Sequence, residues 1–307
     1  MTETRLVANT AAVTDLLNHG GQSPAVEAAV AAAVAAARST ATHVRQLDGL
    51  TELKAVPQLY QRIWRPGGTT GPVTTELLLA MAKAGSYVGG AFDGDELVGA
   101  CIGFFAPPAS EALHSHIAGV SARMRGRSVG FALKLHQRAW ALLRGVGEVC
   151  WTFDPLVRRN ASFNIGKLAA EPTEYLANFY GQMDDGINGS DESDRLLVSW
   201  RLNAPDVVAA CSSQRRIANA AAERAAGAVL ALDISSSGRP VAGRTDADTV
   251  LVAVPADIEQ LRVADGSCAA AWRSSVREVL GGLLADGARV RGFDRAGWYI
   301  VDRRNAR

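Results

Sequence analysis

Apolar residues along the chain fall into two kinds of run. Short runs, continuous or alternating, are bounded by Gly, Pro, Asp or Asn and read as strands; longer ones recur every three to four positions and read as helices. After a polar stretch at 1–22, Ser23-Pro24 opens a helix with Val26, Val30 and Val34 on an alanine background. A strand is predicted at 43–47, a helix at 50–64 with Leu53, Val56, Leu59, Tyr60 and Ile63 on one side, and a helix at 74–84 that Gly85 ends. Strands at 86–92 and 96–105 flank Asp93-Gly94-Asp95, a hairpin signal. Beyond Pro107-Pro108 comes a strand at 113–121, then a long helix on which Phe131, Leu135, Ala139 and Leu142 share a face. A strand at 148–153, a helix at 160–168 and strands at 175–179 and 195–202 follow. The remainder predicts a helix at 207–226, strands at 229–234 and 249–254, a helix at 267–285 and a hairpin of 290–293 with 298–302. The chain is therefore α/β, with the order β-α-α-β-β-β before its long central helix.

The stretch joining that strand to that helix carries the candidate chemistry: Gly119-Val120-Ser121-Ala122-Arg123-Met124-Arg125-Gly126-Arg127-Ser128-Val129-Gly130. A strand-to-helix turn leaves the first N–H groups of the helix without backbone acceptors, and the helix dipole favours an anion in front of them. Gly126 and Gly130 let a phosphate approach the backbone, Ser128 is placed to cap the helix, and Arg125 and Arg127 bring charge. The turn is neither a P-loop, since no Gly-Lys-Ser/Thr follows, nor a dinucleotide fingerprint, since G-x-G-x-x-G is absent.

Composition narrows the partners. With 307 residues the expectation is about two domains and a sizeable core, and 48% hydrophobic with 21% charged residues suits a globular protein. A net charge of +1 gives no reason to expect nucleic acid or a membrane as partner. The four cysteines, Cys101, Cys150, Cys211 and Cys268, are scattered in apolar surroundings without a C-x-x-C pair, as in reduced cytoplasmic proteins. The apolar run at 25–37 is too short to span a bilayer, which needs roughly 20 residues.

Arg125-Gly126-Arg127-Ser128-Val129-Gly130 resembles the Q/R-x-x-G-x-G/A pyrophosphate turn of the GNAT superfamily of N-acyltransferases, with Ser128 where a Gly is usual. The element order from 41 to 203 is similar to that family's, and Asn160-Ala161-Ser162-Phe163-Asn164-Ile165-Gly166-Lys167-Leu168 resembles its helix beside the pantetheine arm. Leu113-His114-Ser115-His116, Trp151-Thr152-Phe153-Asp154-Pro155-Leu156 and Asn178-Phe179-Tyr180-Gly181 resemble a bacterial subgroup, some of whose members are assigned as amino-acid N-succinyltransferases. The resemblance implies a mixed, mostly antiparallel twisted sheet flanked by helices. The chain then reads as an N-terminal segment with the Ala-rich helix (1–40), an acyl-CoA-binding domain (41–203) and a C-terminal α/β extension (204–307), which lacks a phosphate turn of its own and is expected to serve as a cover or oligomer contact and not as a second catalytic centre.

It also implies the chemistry: transfer of an acetyl or succinyl group from acyl-CoA to the amine of a small molecule such as an amino acid, in the cytoplasm, without a metal. The diphosphate would be held by the N–H groups of Arg125, Gly126, Arg127, Ser128, Val129 and Gly130, the thioester carbonyl by a backbone N–H among Ile117, Gly119 and Val120, and the pantetheine arm by Asn160 and Lys167. His114 and His116, two apart on a strand, point to one face and are candidate bases near neutral pH. Ile165 stands where the family's acidic Tyr is usual, which leaves Tyr175, Tyr180 or water as the acid. Asp154 either caps the next helix or meets the substrate ammonium, and Arg65, Arg158, Arg159 and Arg195 are candidate partners for a substrate carboxylate. The alternatives are a non-catalytic CoA-binding sensor or structural module, and a hydrolase acting through Cys150 or a Ser, for which no G-x-S-x-G exists. A homodimer stays open.

Overall fold

The structure is a computed structural model that describes residues 23–64, 72–107, 110–181, 191–212, 214 and 217–303. The chain divides into two compact units, Met1–Cys150 with Arg201–Ala204 and Trp151–Trp200 with Pro205–Arg307. The division falls within the strand at 148–153.

In the first unit, β1 (His43–Gln46), β2 (Tyr87–Asp93), β3 (Glu96–Phe105) and β4 (Ala112–Val120) pair antiparallel in chain order. The β2–β3 hairpin turns tightly because Gly94 takes a left-handed φ of 62°. The start of β5 (Glu148–Phe153) enters parallel beside β4. Helices α2 (Leu50–Trp64) and α3 (Thr75–Lys83) bury Leu53, Val56, Leu59, Tyr60 and Leu78 with Leu47, just past β1, and with Val88, Leu97 and Ile102 of the sheet. Thr74 caps α3 through its hydroxyl, which accepts from Leu77 N at 3.3 Å.

Helix α4 (Val129–Leu142) packs against β2, β3 and β4, and α1 (Pro24–Ser39) packs against α4. The spacing of Phe131, Leu135, Ala139 and Leu142 predicts a single apolar stripe, but every residue from Ala132 to Leu142 is buried. The reason lies in α1, whose alanines Ala29, Ala33 and Ala36 are themselves buried. Small side chains let two helices approach closely, so the face of α4 that would meet water is covered instead.

The second unit begins with the rest of β5. A short helix α5 (Arg158–Ala161) runs into a π-helical turn at Ser162–Lys167, followed by β6 (Glu171–Leu176) and β7 (Arg195–Arg201), in the order β5-β7-β6. The strand predicted at 175–179 lies earlier, because Asn178 and Gly181 adopt left-handed φ values of 44° and 67° and turn the chain there. A separate five-stranded sheet holds β8 (Val229–Ile234), β9 (Pro240–Ala242), β10 (Thr249–Ala253), β11 (Arg289–Asp294) and β12 (Trp298–Asp302) in the order β11-β12-β10-β8-β9. Only β8 and β10 are parallel in it.

The helix predicted at 207–226 is two, α6 (Pro205–Cys211) and α7 (Ala220–Ala225), the second capped by the Asn219 side chain on Ala222 N. Helix α8 (Ile258–Ala264), capped by Asp257, is too short for its apolar period to show in the sequence. Helix α9 (Gly266–Val276) is capped by Asp265 and continues through a π-helical turn (Arg277–Gly281) into α10 (Gly282–Ala285). The whole is mixed α/β, with mostly antiparallel sheets flanked by helices. No described helix is long and apolar enough to cross a membrane.

Candidate functional site

At the end of β4 the Ser121 N–H still donates to Val98 O at 2.8 Å, after which a 3₁₀ turn (Ala122–Met124) buries Met124. Arg123 bonds Asp93 and Glu96, each at 2.9 Å, and so fastens the turn to the β2–β3 hairpin. Gly126 (φ 79°) and Ser128 (φ 63°) then take left-handed conformations on either side of Arg127. A Cβ on Gly126 would meet nothing, so its backbone is open to a ligand. Ser128 precedes α4, but its side chain makes no capping bond, contrary to expectation; its left-handed backbone, the conformation that favours Gly, turns the hydroxyl away from that role.

The expected cradle of six N–H groups is smaller. Arg125 N donates to Ala122 O at 3.1 Å and Arg127 N to Met124 O at 3.2 Å, so both are spent on the turn itself. The N–H groups of Gly126, Val129 and Gly130 have no protein acceptor among the described residues. They stand before the positive end of a helix of 14 residues, with the Arg125 and Arg127 side chains exposed beside them.

Upstream, β4 is irregular. Ile102 faces Ile117 and Gly103 faces Ser115, so His116 is bulged out of the ladder. A bulge re-aims backbone groups away from the neighbouring strand. The parallel register with β5 covers only Ala112–His114 against Glu148–Cys150. Beyond His114, β4 keeps its ladder to β3 and leaves the one to β5. Ile117 O accepts the Tyr60 hydroxyl at 3.3 Å. Gly119 has a packing reason to be Gly, since a Cβ there would lie 2.6 Å from the Trp64 ring. Val120 is half-buried at the strand's end.

His114 and His116 do share a face, with ring centroids 6.1 Å apart and Phe104 at 5.1 and 5.9 Å from them. Burial first, then the neighbouring charges of His116 and Lys134, hold His114 below the ordinary imidazole value, and burial lowers His116 as well. Both rings are therefore neutral at pH 7 and able to accept a proton. The Cys150 Sγ lies 3.7 Å from His114 Nδ1, but burial and Glu148 push its thiol up, which argues against a thiolate nucleophile. On the other side of β4, Lys134 of α4 is buried and donates to Ser115 Oγ at 3.0 Å and Gln137 Oε1 at 2.8 Å. Sequence reasoning missed Lys134, since lysine at a helical surface spacing reads as solvated.

The remaining candidates lie in the second unit. Asn160 on α5 and Lys167 at the close of the π-helical turn are half-buried, and Ile165 between them is buried. Tyr175 is engaged elsewhere: its hydroxyl donates to Asp194 Oδ2 at 2.7 Å, and burial together with that carboxylate raises its pKa, so it is not poised to release a proton. Tyr180 is exposed, its hydroxyl 3.1 Å from Thr152 Oγ1. Asp154 does not await an ammonium. It accepts from Leu156 N at 2.9 Å and is neutralised by Arg262 at 2.7 Å and Arg273 at 2.8 Å. Arg158 donates to Val254 O, Arg159 pairs with Glu259, and Arg195 donates to Asp194 O, so these three serve the fold; Arg65 lies outside the described residues.

No protein-family model matches the chain, and no curated protein matches it. Solved structures similar to it include acetyltransferases. The ribosomal-protein-S18-alanine N-acetyltransferase from Escherichia coli aligns at 13% identity over 53% of this chain and 95% of its own, with a TM-score of 0.43. A GNAT-family protein from Desulfovibrio desulfuricans aligns at 13% identity over 52% and 99%, with a TM-score of 0.41. The yncA protein from Salmonella typhimurium, solved with its cofactor acetyl-CoA, aligns at 16% identity over 54% and 98%, with a TM-score of 0.43.

Proposed function

We propose that this chain is an acyl-CoA-dependent N-acyltransferase of GNAT type, moving an acetyl or succinyl group to the amine of a small molecule such as an amino acid. One observation carries the reading: a strand bulged at His116 that leaves its parallel neighbour at His114 and ends in an open, arginine-flanked turn at the N-terminus of α4. The donor diphosphate would accept from the N–H groups of Gly126, Val129 and Gly130, with Arg125 and Arg127 supplying charge. A backbone N–H at the bulge would polarise the thioester carbonyl.

The acceptor nitrogen gives one proton to neutral His114 or His116, directly or through a water, and attacks the carbonyl carbon. The C–N bond forms, the C–S bond breaks, and the second proton that the nitrogen loses as it becomes an amide passes through water to the leaving thiolate. No covalent enzyme intermediate is needed, in keeping with the raised Cys150 thiol. The His114 and His116 pKa values lie below the ordinary imidazole value, so protonation of the base should depress kcat only below about pH 6.5. Replacing the acting base by Ala should lower kcat by about 100-fold and remove that acid limb. Release of free thiol from acetyl-CoA and succinyl-CoA across an amine panel measures it; unchanged profiles in both His114→Ala and His116→Ala would remove the pair from the mechanism. Tight donor binding without thiol release would instead support a CoA-binding sensor.

A further inference from the structure

The second unit contains a correspondence that the sequence does not display. In the β6–β7 hairpin, Glu171, Pro172, Glu174, Tyr175 and Leu176 face Ser199, Val198, Leu197, Leu196 and Arg195. In the β11–β12 hairpin, Arg289, Val290, Gly292, Phe293 and Asp294 face Asp302, Val301, Ile300, Tyr299 and Trp298. Both ladders have five pairs, and both bulge out one residue after the second pair, Thr173 in one and Arg291 in the other.

The surroundings match as well. Each hairpin follows a helix with a π-helical turn, Ser162–Lys167 or Arg277–Gly281. The leading strand lies beside the hairpin's second strand in both, as β5-β7-β6 and β10-β12-β11. Each leading strand has a parallel neighbour on its other side, β4 for β5 and β8 for β10. Each also meets a proline two residues past its end, Pro155 or Pro255.

The two copies meet reciprocally. The π-helical turn of the first lies against β11, that of the second with α10 lies against β6, and β6 lies near β11. A Cβ on Gly166 would sit 3.8 Å from Phe293 O, and one on Gly281 would sit 3.3 Å from the Tyr175 ring; Tyr175 and Phe293 hold equivalent places in their hairpins. The first residues of the two strands, Glu171 and Arg289, form an ion pair at 2.8 Å. Equivalent elements contacting each other in exchange is the form of a two-fold interface between identical subunits.

We infer that the second unit is one βαββ module present twice, and that the second copy closes the β6 side of the first as a two-fold partner would, so that this surface is satisfied within one chain. The second copy does not duplicate the candidate donor site. Its parallel strands β8 and β10 are joined through the small strand β9, where β4 and β5 are joined through the arginine-flanked turn and α4. The inference stands without the acyltransferase reading, because neither the correspondence nor its test involves acyl-CoA.

The test uses the full chain with Glu171→Cys and Arg289→Cys introduced together and a short bis-maleimide added, the single variants serving as controls for the native cysteines. Essentially all cross-linked product of the double variant should migrate as a single chain. Product at twice that mass, formed by the double variant and by neither control, would place residue 289 of another molecule against residue 171 and overturn the inference. Light scattering on the parent covers a double variant that fails to fold: the mass should be 32.3 kDa, and a parent dimer that Glu171→Arg splits would overturn it equally.

Discussion

The two units bury polar side chains equally deeply and solve the cost in opposite ways. In the first, α4 buries Lys134, His136 and Gln137: Lys134 donates to the Ser115 hydroxyl and the Gln137 amide oxygen, and His136 Nδ1 lies 2.9 Å from the Tyr87 hydroxyl. In the second, Asp154 and Asp191 are buried between Arg262 and Arg273 at 2.7 to 3.0 Å. Desolvation disfavours the charged form of a buried group, whereas close ion pairing can outweigh it and keep the charge. Burial accordingly lowers His136 to about 4 and Lys134 to about 8, while Asp154, despite the opposing effect of its burial, is held at about 2 by Arg273 and Arg262. Equal depth therefore does not mean equal response to pH or to mutation.

Breaking the ion network should have the largest effect. Arg273→Met leaves two buried carboxylates with Arg262 alone and should cost about 3 kcal/mol, seen in urea unfolding, with loss of hydrogen-exchange protection concentrated in the second unit. Unchanged stability would mean that the network contributes no net pairing.

Acid should separate the units next. The unfolded chain binds a proton at His136 below pH 6.5 and the folded chain only near 4, so that stability is present above 6.5 and lost as pH falls between those values, by up to about 3 kcal/mol. The corresponding loss at Asp154 comes later, between pH 3.8 and 2, and amounts to about 2 kcal/mol. Hydrogen exchange corrected for intrinsic rates should show α4 opening at milder acid than the elements around Asp154; the reverse order would break the comparison. The smallest effect belongs to the turn. Ser128→Gly relieves a left-handed conformation of φ 63° and should stabilise by about 1 kcal/mol without lowering donor affinity, measured by thermal unfolding and titration.

Much of this was legible in the chain. The β2–β3 hairpin followed from Asp93-Gly94-Asp95, α3 from Thr74 and Gly85, and the strand, turn and long helix from the spacing around Gly126. Local signals sufficed because those elements are specified by adjacent residues. The polar burial on α4 was not legible, since it depends on strands elsewhere in the chain: Lys134 meets Ser115 of β4 and His136 meets Tyr87 of β2. Nor was the role of Asp154, whose partners Arg262 and Arg273 lie over 100 residues away. Tyr175 read as a candidate acid for the same reason: nothing near it in sequence announces that Asp194 holds its hydroxyl. The duplicated module was hidden because only the pairing register and its matched bulges are shared, not the side chains.

The central claim is that the turn before α4 holds an acyl-CoA diphosphate, and calorimetric titration of acetyl-CoA, succinyl-CoA and free CoA into the parent and a Gly130→Glu variant tests it most directly. The account predicts saturable binding of at least one of these by the parent, abolished in a variant that keeps its far-ultraviolet circular dichroism, because the new carboxylate would repel the phosphates. Equal binding by parent and variant, or no binding of any of the three by the parent, would contradict it.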